Sequence, residues 1–381
     1  MTPPHEGDSG RAPLIGRRRV LTQALRAAPL ALLAGCAQST DARLHRLIET
    51  ERERRRAASA AAMQAGEASP TSRSGVVLNE EAWSFERTPG RVFETANFRV
   101  FSTLDDAELI RRLPAFLEHS LLRYRESITP LPAPPGKLVT YAMGSRTEWA
   151  SLTRQLMGER AALYLKINRG GFAAEGKGVY FDLGPRDTLA VAAHEGWHQY
   201  TQAVFAHQLP IWLDEGLSAW HEGVRWDREH GAVFMPWGNE QRFDRLTDVV
   251  VRDTLLPLND LLNTRPQDLI ETSSEATLDY YAQVWALAHF LNEAQNGLYR
   301  PVLESMLIAG ANGELFTRIG DAFGRRAVFL ARTRRTGSEP LLAYLDGRDA
   351  SVVGAHYEEF VRHAVRPGAR RHILKGHSPI L

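Results

Sequence analysis

VAAHEGWHQYTQAVF, residues 191–205, places two histidines one helical turn apart around a glutamate. Apart from Gly196 the run carries no helix breaker, and GPRDT ahead of it, residues 184–188, offers a turn and a proline suited to a helix start. The spacing predicts one helix through the whole segment. On such a helix His194 and His198 share a face, so both imidazoles can reach a single ion. Glu195 lies about 100° further round. It flanks the ion rather than binding it, where it can take a proton from an activated water.

A zinc site of this kind needs a third protein ligand and keeps one position open. A metzincin would carry glycine at 201 and histidine at 204, but the chain has Thr201 and Val204. The other common solution is a glutamate from the following helix. LPIWLDEGLSAW, residues 209–220, supplies Glu215 beside an apolar stripe of Trp212, Leu213, Leu217 and Trp220. A carboxylate in that setting is costly to bury unless a cation or hydrogen bonds compensate it.

HEGWHQY followed by PIWLDEGLSAW resembles the gluzincin metallopeptidases, the peptidase MA-like superfamily that includes thermolysin-like enzymes and zinc aminopeptidases. It is most similar to poorly characterised bacterial lipoproteins with HEGxHQ and WLxEG motifs. The resemblance covers roughly residues 93–297. It implies one zinc ion per chain, held by His194, His198 and Glu215, with Glu195 as general base. It also implies a zincin-like fold, with peptide bonds as the substrate. LDYYAQVWALAHFL, residues 278–291, is similar to the aminopeptidase segment whose tyrosine stabilises the oxyanion. Register puts Tyr281 at that position, with Tyr280 as the alternative. His289, two turns on, reads as a core or surface residue.

Two positions depart from the family. The aminopeptidase GxMEN pattern is absent, so Glu175 reads as a hairpin-turn residue and nothing supports aminopeptidase specificity. Ala219 stands where thermolysin-like enzymes place the aspartate that orients a zinc-binding histidine, so that role falls elsewhere. Asp214 is a neighbour in sequence without a geometry to promote it. Two other functions share these motifs: a zincin-like binding or assembly lipoprotein without catalysis, and a zinc amidase acting on a non-peptide or cell-wall amide.

Around this centre the chain reads as an α+β protein. FETANFRVFST (93–103) and KLVTYAMGS (137–145) are strand candidates, and GGFAAEGKGVYFDL (170–183) is a hairpin with Gly176-Lys177-Gly178 near its turn. DDAELIRRLPAFLEHSLLRYRESI (105–128) and TEWASLTRQLM (147–157) have helical patterns. Strands thus precede the HEGWH helix, and everything after it reads as helical. The expectation is a mixed or antiparallel sheet, then that helix, then a mostly helical C-terminal subdomain, with 298–381 extending the unit of 93–297.

The N-terminus is a targeting segment. Arg17–Arg19 precede an apolar stretch, residues 27–34, too short to span a bilayer. Leu33-Ala34-Gly35-Cys36 resembles a bacterial lipobox, which implies lipidation of Cys36, the sole cysteine of the 381 residues. Residues 1–35 are then a signal peptide, of either the general or the twin-arginine type. Residues 36–92 read as the lipidated cysteine, a charged helix and a linker. The mature chain is expected to be anchored to a membrane and to face the periplasm, and Ala37 points to the outer membrane. Without a second cysteine, stability rests on the core rather than on disulfides. Formal net charge is +1, and residues 1–35 contribute five arginines and two acids to it. The rest carries a slight negative charge, so nucleic acid is not an expected partner.

Overall fold

The alternation of apolar residues from Phe93 onward builds a sheet with one face buried along its central strands and the other covered only in part. The computed structural model describes residues 76–167, 170–227, 231–270 and 273–380, all within one compact unit, Ala62–Leu381. The signal segment, Cys36, the charged helix and the first part of the expected linker lie outside the described residues. In chain order the elements are β1 (Asn79–Phe85), β2 (Thr88–Glu94), β3 (Phe98–Ser102), α1 (Ala107–Glu126), β4 (Leu138–Met143) and α2 (Arg146–Met157). Next come β5 (Gly171–Ala174), β6 (Lys177–Phe181), α3 (Pro185–Val204), α4 (Ile211–His221), β7 (Val224–Asp227), β8 (Gly231–Phe234) and α5 (Glu240–Val251). After two short helices, Leu258–Asn263 and Pro266–Ile270, follow α6 (Ser274–Gly297), α7 (Arg300–Asn312), α8 (Leu315–Thr333) and α9 (Ala350–Ala364).

The main sheet has the order β1-β2-β3-β4-β6-β5, and β3, β4 and β6 run parallel while the other neighbours pair antiparallel. Parallel neighbours need a crossover, and α1 and α2 provide it. The class is α+β with a mixed sheet and a mostly helical C-terminal part. Period-two alternation sorts the strands between two cores. Phe98, Val100, Leu138, Ala142 and Tyr180 face the core shared with α1 and α3. Phe85, Met143, Val179 and Phe181 face the smaller one under Trp149 of α2.

Three expectations are corrected. The folded part starts before residue 93, since β1 and the start of β2 lie within the expected linker. Most of β1, NEEAWSF, is exposed, so its pattern carries little apolar signal. FETANFRVFST is not one strand: it ends β2, turns at residues 95–97 and then forms β3. The region after α3 is not wholly helical either, because β7 and β8 form a small antiparallel hairpin.

The turn between β5 and β6 falls at Glu175-Gly176, both with positive φ (53° and 72°). A two-residue hairpin turn of this kind demands that backbone. Glu175 is accordingly an exposed turn residue, paired with Arg160.

The HEGWH helix is α3, and Gly196 at its middle has a packing reason. A Cβ there would lie 2.6 Å from the hydroxyl oxygen of Tyr124 on α1. That hydroxyl donates to the Ala193 carbonyl at 2.7 Å, so a larger residue would push the two helices apart. On α4, Trp212, Leu213, Leu217 and Trp220 are buried as the stripe requires, each leucine contributing about 2 kcal/mol. α4 packs on α3 and α6. α7 and α9 in turn cover α6, and their apolar residues belong to the same core. Among the described residues no helix is long and apolar enough to cross a membrane.

Candidate metal centre

One turn of α3 and one residue of α4 bring three ligand-type side chains together. Ligand atoms of His194, His198 and Glu215 all lie within 4.8 Å of one another, a group that could hold a metal ion. The Nε2 atoms of His194 and His198 stand 3.5 and 3.4 Å from the same oxygen, Glu215 Oε2. Four ligands at about 2.0–2.1 Å around a tetrahedral ion are about 3.3–3.4 Å apart, so these separations match a tetrahedron's edge. They are long for charge-assisted hydrogen bonds. Glu215 Oε2 is buried and has no hydrogen-bond partner, although leaving such an oxygen unpaired is costly. An orphaned carboxylate oxygen facing two imidazole nitrogens fits a cation.

A carboxylate stands behind each histidine, hydrogen-bonded to His194 and at longer range from His198. His194 Nδ1–H donates to Glu222 Oε1 at 2.8 Å. Glu222 also accepts from Arg242, at 2.7 and 3.0 Å, and from the Asn239 amide at 2.7 Å. His198 Nδ1 faces Asp214 Oδ2 at 3.4 Å. Asp214 accepts from the Trp197 indole at 3.0 Å and from Arg335 at 2.6 Å. A carboxylate behind a ligand imidazole fixes its tautomer and ring plane and raises its basicity. Sequence reasoning left this role unassigned. Glu222 was half legible, because it lies seven residues beyond Glu215 and so shares its helical face, but nothing local says that this face meets His194. Between them, Ser218 donates to the Glu215 carbonyl and stands 3.2 Å from His194 Nε2.

The charges respond to this crowding. Burial would lower the pKa of His194, but the carboxylates of Glu215 and Glu222 outweigh it and raise it to about 9. Burial opposes the charged form of His198 as well, yet Asp214 and Glu215 hold it well above the ordinary value. The Glu215 carboxyl would be raised by burial and is instead lowered by the two histidines.

Glu195 behaves differently. It is buried, forms no ion pair or side-chain hydrogen bond with a described residue, and has its carboxyl pushed up, by burial first. It abuts the sheet edge, since a Cβ on Gly171 of β5 would come within 3.2 Å of Glu195 Cγ.

The structure brings Tyr281 to this group. Its ring centroid is 6.3 Å from that of His194, and the Arg242 guanidinium lies over the ring at 5.1 Å. Burial and then Glu215 push its phenol well above the ordinary value, so it remains a proton-bearing donor. Tyr280 is fully buried. His289 is a core residue stacked on Trp237 at 3.8 Å and takes no part. Glu175 stands in its turn as described, and Cys36 is outside the described residues.

The sequence matches no family model and no curated protein.

Proposed function

We propose that this chain is a zinc-dependent metallopeptidase of the gluzincin type with a zincin-like fold. The observation that carries the reading is the convergence of His194 and His198 on one orphaned oxygen of Glu215, with the unpaired carboxylate of Glu195 next to it. Two imidazoles and a carboxylate with an open fourth position are a catalytic zinc donor set. Zinc held there by His194, His198 and Glu215 would act as a Lewis acid, polarising the scissile carbonyl and acidifying water.

The chain's own residues do the rest. Glu195 accepts a proton from the water whose oxygen bonds to the carbonyl carbon. It then delivers that proton to the amide nitrogen as the carbon–nitrogen bond breaks. The Tyr281 hydroxyl donates to the carbonyl oxygen as negative charge collects on it. Asp214 and Glu222 keep both imidazoles aimed.

A peptide suits this arrangement because β5 is the terminal strand of the sheet and Gly171 runs past Glu195. An extended chain can add to such an edge. Gln202 already donates to the Ala173 carbonyl at 3.0 Å, so pairing falls to the Gly171 end. The lipobox-like residues 33–36 support an exported form anchored through Cys36.

Elemental analysis of the protein and of His194→Ala tests the reading. Near-stoichiometric zinc that the variant loses is expected, together with peptide hydrolysis that Glu195→Gln abolishes while keeping its zinc. Absence of metal after zinc is supplied would overturn the reading. Zinc binding without any Glu195-dependent hydrolysis would leave a binding lipoprotein, and cleavage confined to non-peptide amides an amidase.

A further inference from the structure

The second half of α8 carries a surface that the metal centre does not use. Gly324, with φ 80°, bends α8 into two limbs. They meet across the bend, since a Cβ on Gly320 would lie 3.2 Å from Val328. Every residue of the corner, 321–326, is exposed. Phe323 at this corner is 43% exposed, and Phe329 on the outgoing limb is 63% exposed.

Between and beyond them stand Arg325, Arg326, Arg332 and Arg334, against Asp321 as the only acid of residues 319–334. Arg325, Arg326 and Arg334 make no ion pair with a described residue. Their neighbours differ: Arg318 is held by Asp346 and the Ala343 carbonyl, and Arg335 by Asp214 and the Leu209 carbonyl. Arg332 lies over the Phe316 ring.

We propose that this corner of α8 docks on an anionic phospholipid surface, with Phe323 and Phe329 entering the headgroup–acyl boundary and Arg325, Arg326 and Arg334 contacting lipid phosphates. Aromatic side chains and arginines on one short helical segment suit that boundary, which is apolar beneath and anionic above. A polyanion alone would engage the arginines and leave both phenyl rings in water. Each arginine brought to an anionic surface strengthens binding about fivefold, so three give on the order of a hundredfold. Docking there rests on neither the metal centre nor Cys36.

The test uses residues 62–381, which form a compact unit with their own core, and flotation with phosphatidylcholine vesicles with and without phosphatidylglycerol. The expected result is flotation only with phosphatidylglycerol, weakened by salt. Arg325→Glu/Arg326→Glu and Phe323→Ser/Phe329→Ser should each lower partitioning at least tenfold. All four side chains are exposed, so circular dichroism and melting should be unchanged. Should a double variant melt early, the single variants Phe329→Ser and Arg326→Glu replace it. Failure to float with phosphatidylglycerol would overturn the proposal. So would flotation indifferent to the phenylalanine variant, or binding to heparin or short RNA as tight as to vesicles, either of which would mark a general polyanion surface.

Discussion

Glu222→Gln keeps the size of the side chain and an oxygen able to accept from His194 Nδ1, but takes the negative charge from between His194 and Arg242. Two losses of different size should follow. A carboxylate behind a ligand imidazole contributes roughly 10- to 100-fold to metal affinity, so zinc should bind more weakly by about that factor. The Arg242 guanidinium is also left without its counter-charge. Glu222 and Arg242 have side chains only 13% and 17% exposed, and breaking a buried pair costs about 3–5 kcal/mol. The amide oxygen still accepts a hydrogen bond from the guanidinium and returns roughly 1.5–3 kcal/mol, which leaves a net loss of about 2 kcal/mol.

Adding Arg242→Met removes the stranded cation, so stability should largely return while the zinc defect persists. Competition with a chromophoric chelator reads the first quantity and urea unfolding the second. A folded Glu222→Gln protein that binds zinc within twofold of the parent would refute the orienting role. Zinc affinity that returned together with stability in the double variant would reduce Glu222 to a structural partner of Arg242.

Glu195→Gln should lower peptide hydrolysis by roughly a hundred- to ten-thousandfold with zinc content unchanged, and loss of the metal itself would show the glutamate to be a ligand. Because His194 is held at about 9 and His198 well above 6.5, both carry protons at pH 7 in chelator-treated protein, and zinc must displace them. Calorimetry in buffers of different ionisation enthalpy should detect about two protons released per zinc, and release of none would mean the histidines were already neutral. The raised His194 stabilises the chelator-treated fold fully below pH 6.5 and loses that contribution as pH climbs through about 9, and His198, also raised, adds a decline of the same sign, which melting curves across the range should show. Gly171→Val should cut hydrolysis and spare zinc binding, because a Cβ there meets the Val179 carbonyl at 2.6 Å and Glu195 Cγ at 3.2 Å. Wild-type turnover in that variant would remove β5 from the substrate path.

The grouping of His194, His198 and Glu215, the proposed ligand triad, was legible because it is local. His194 and His198 are fixed by one helix, and Glu215 by the apolar stripe that dictates which side of α4 is buried. Asp214 and Glu222 were half legible, since helical geometry puts Glu222 on the face of Glu215 but does not say that the face meets His194. Arg242 and Arg335 were not legible. They lie 20 and 121 residues from the carboxylates they bind, and only tertiary packing closes those distances. β1 escaped for a different reason: as an outer strand it needs no buried face, so its sequence resembles a linker. The break in α8 was equally silent, because a glycine within an amphipathic helix does not announce a bend.

Four carboxylates crowd two histidines here, and the way their charges are met favours the proposed metal centre over an ion-pair cluster. Arg335 answers Asp214, and Arg242 answers Glu222. Glu195 and Glu215 have no arginine or lysine partner among the described residues, and the two histidinium protons are the positive charge closest to them. A network selected only to satisfy itself would close its contacts, as His194 does toward Glu222 at 2.8 Å. On its other nitrogen the same ring stops 3.5 Å from Glu215, near the spacing that a shared ion imposes. Exchange of two protons for one divalent cation leaves the net charge of the pocket unchanged, so Arg242 and Arg335 need not move to accommodate it. The two arginines therefore preset the site electrostatically, and replacing either should be felt in metal affinity although neither touches the ion.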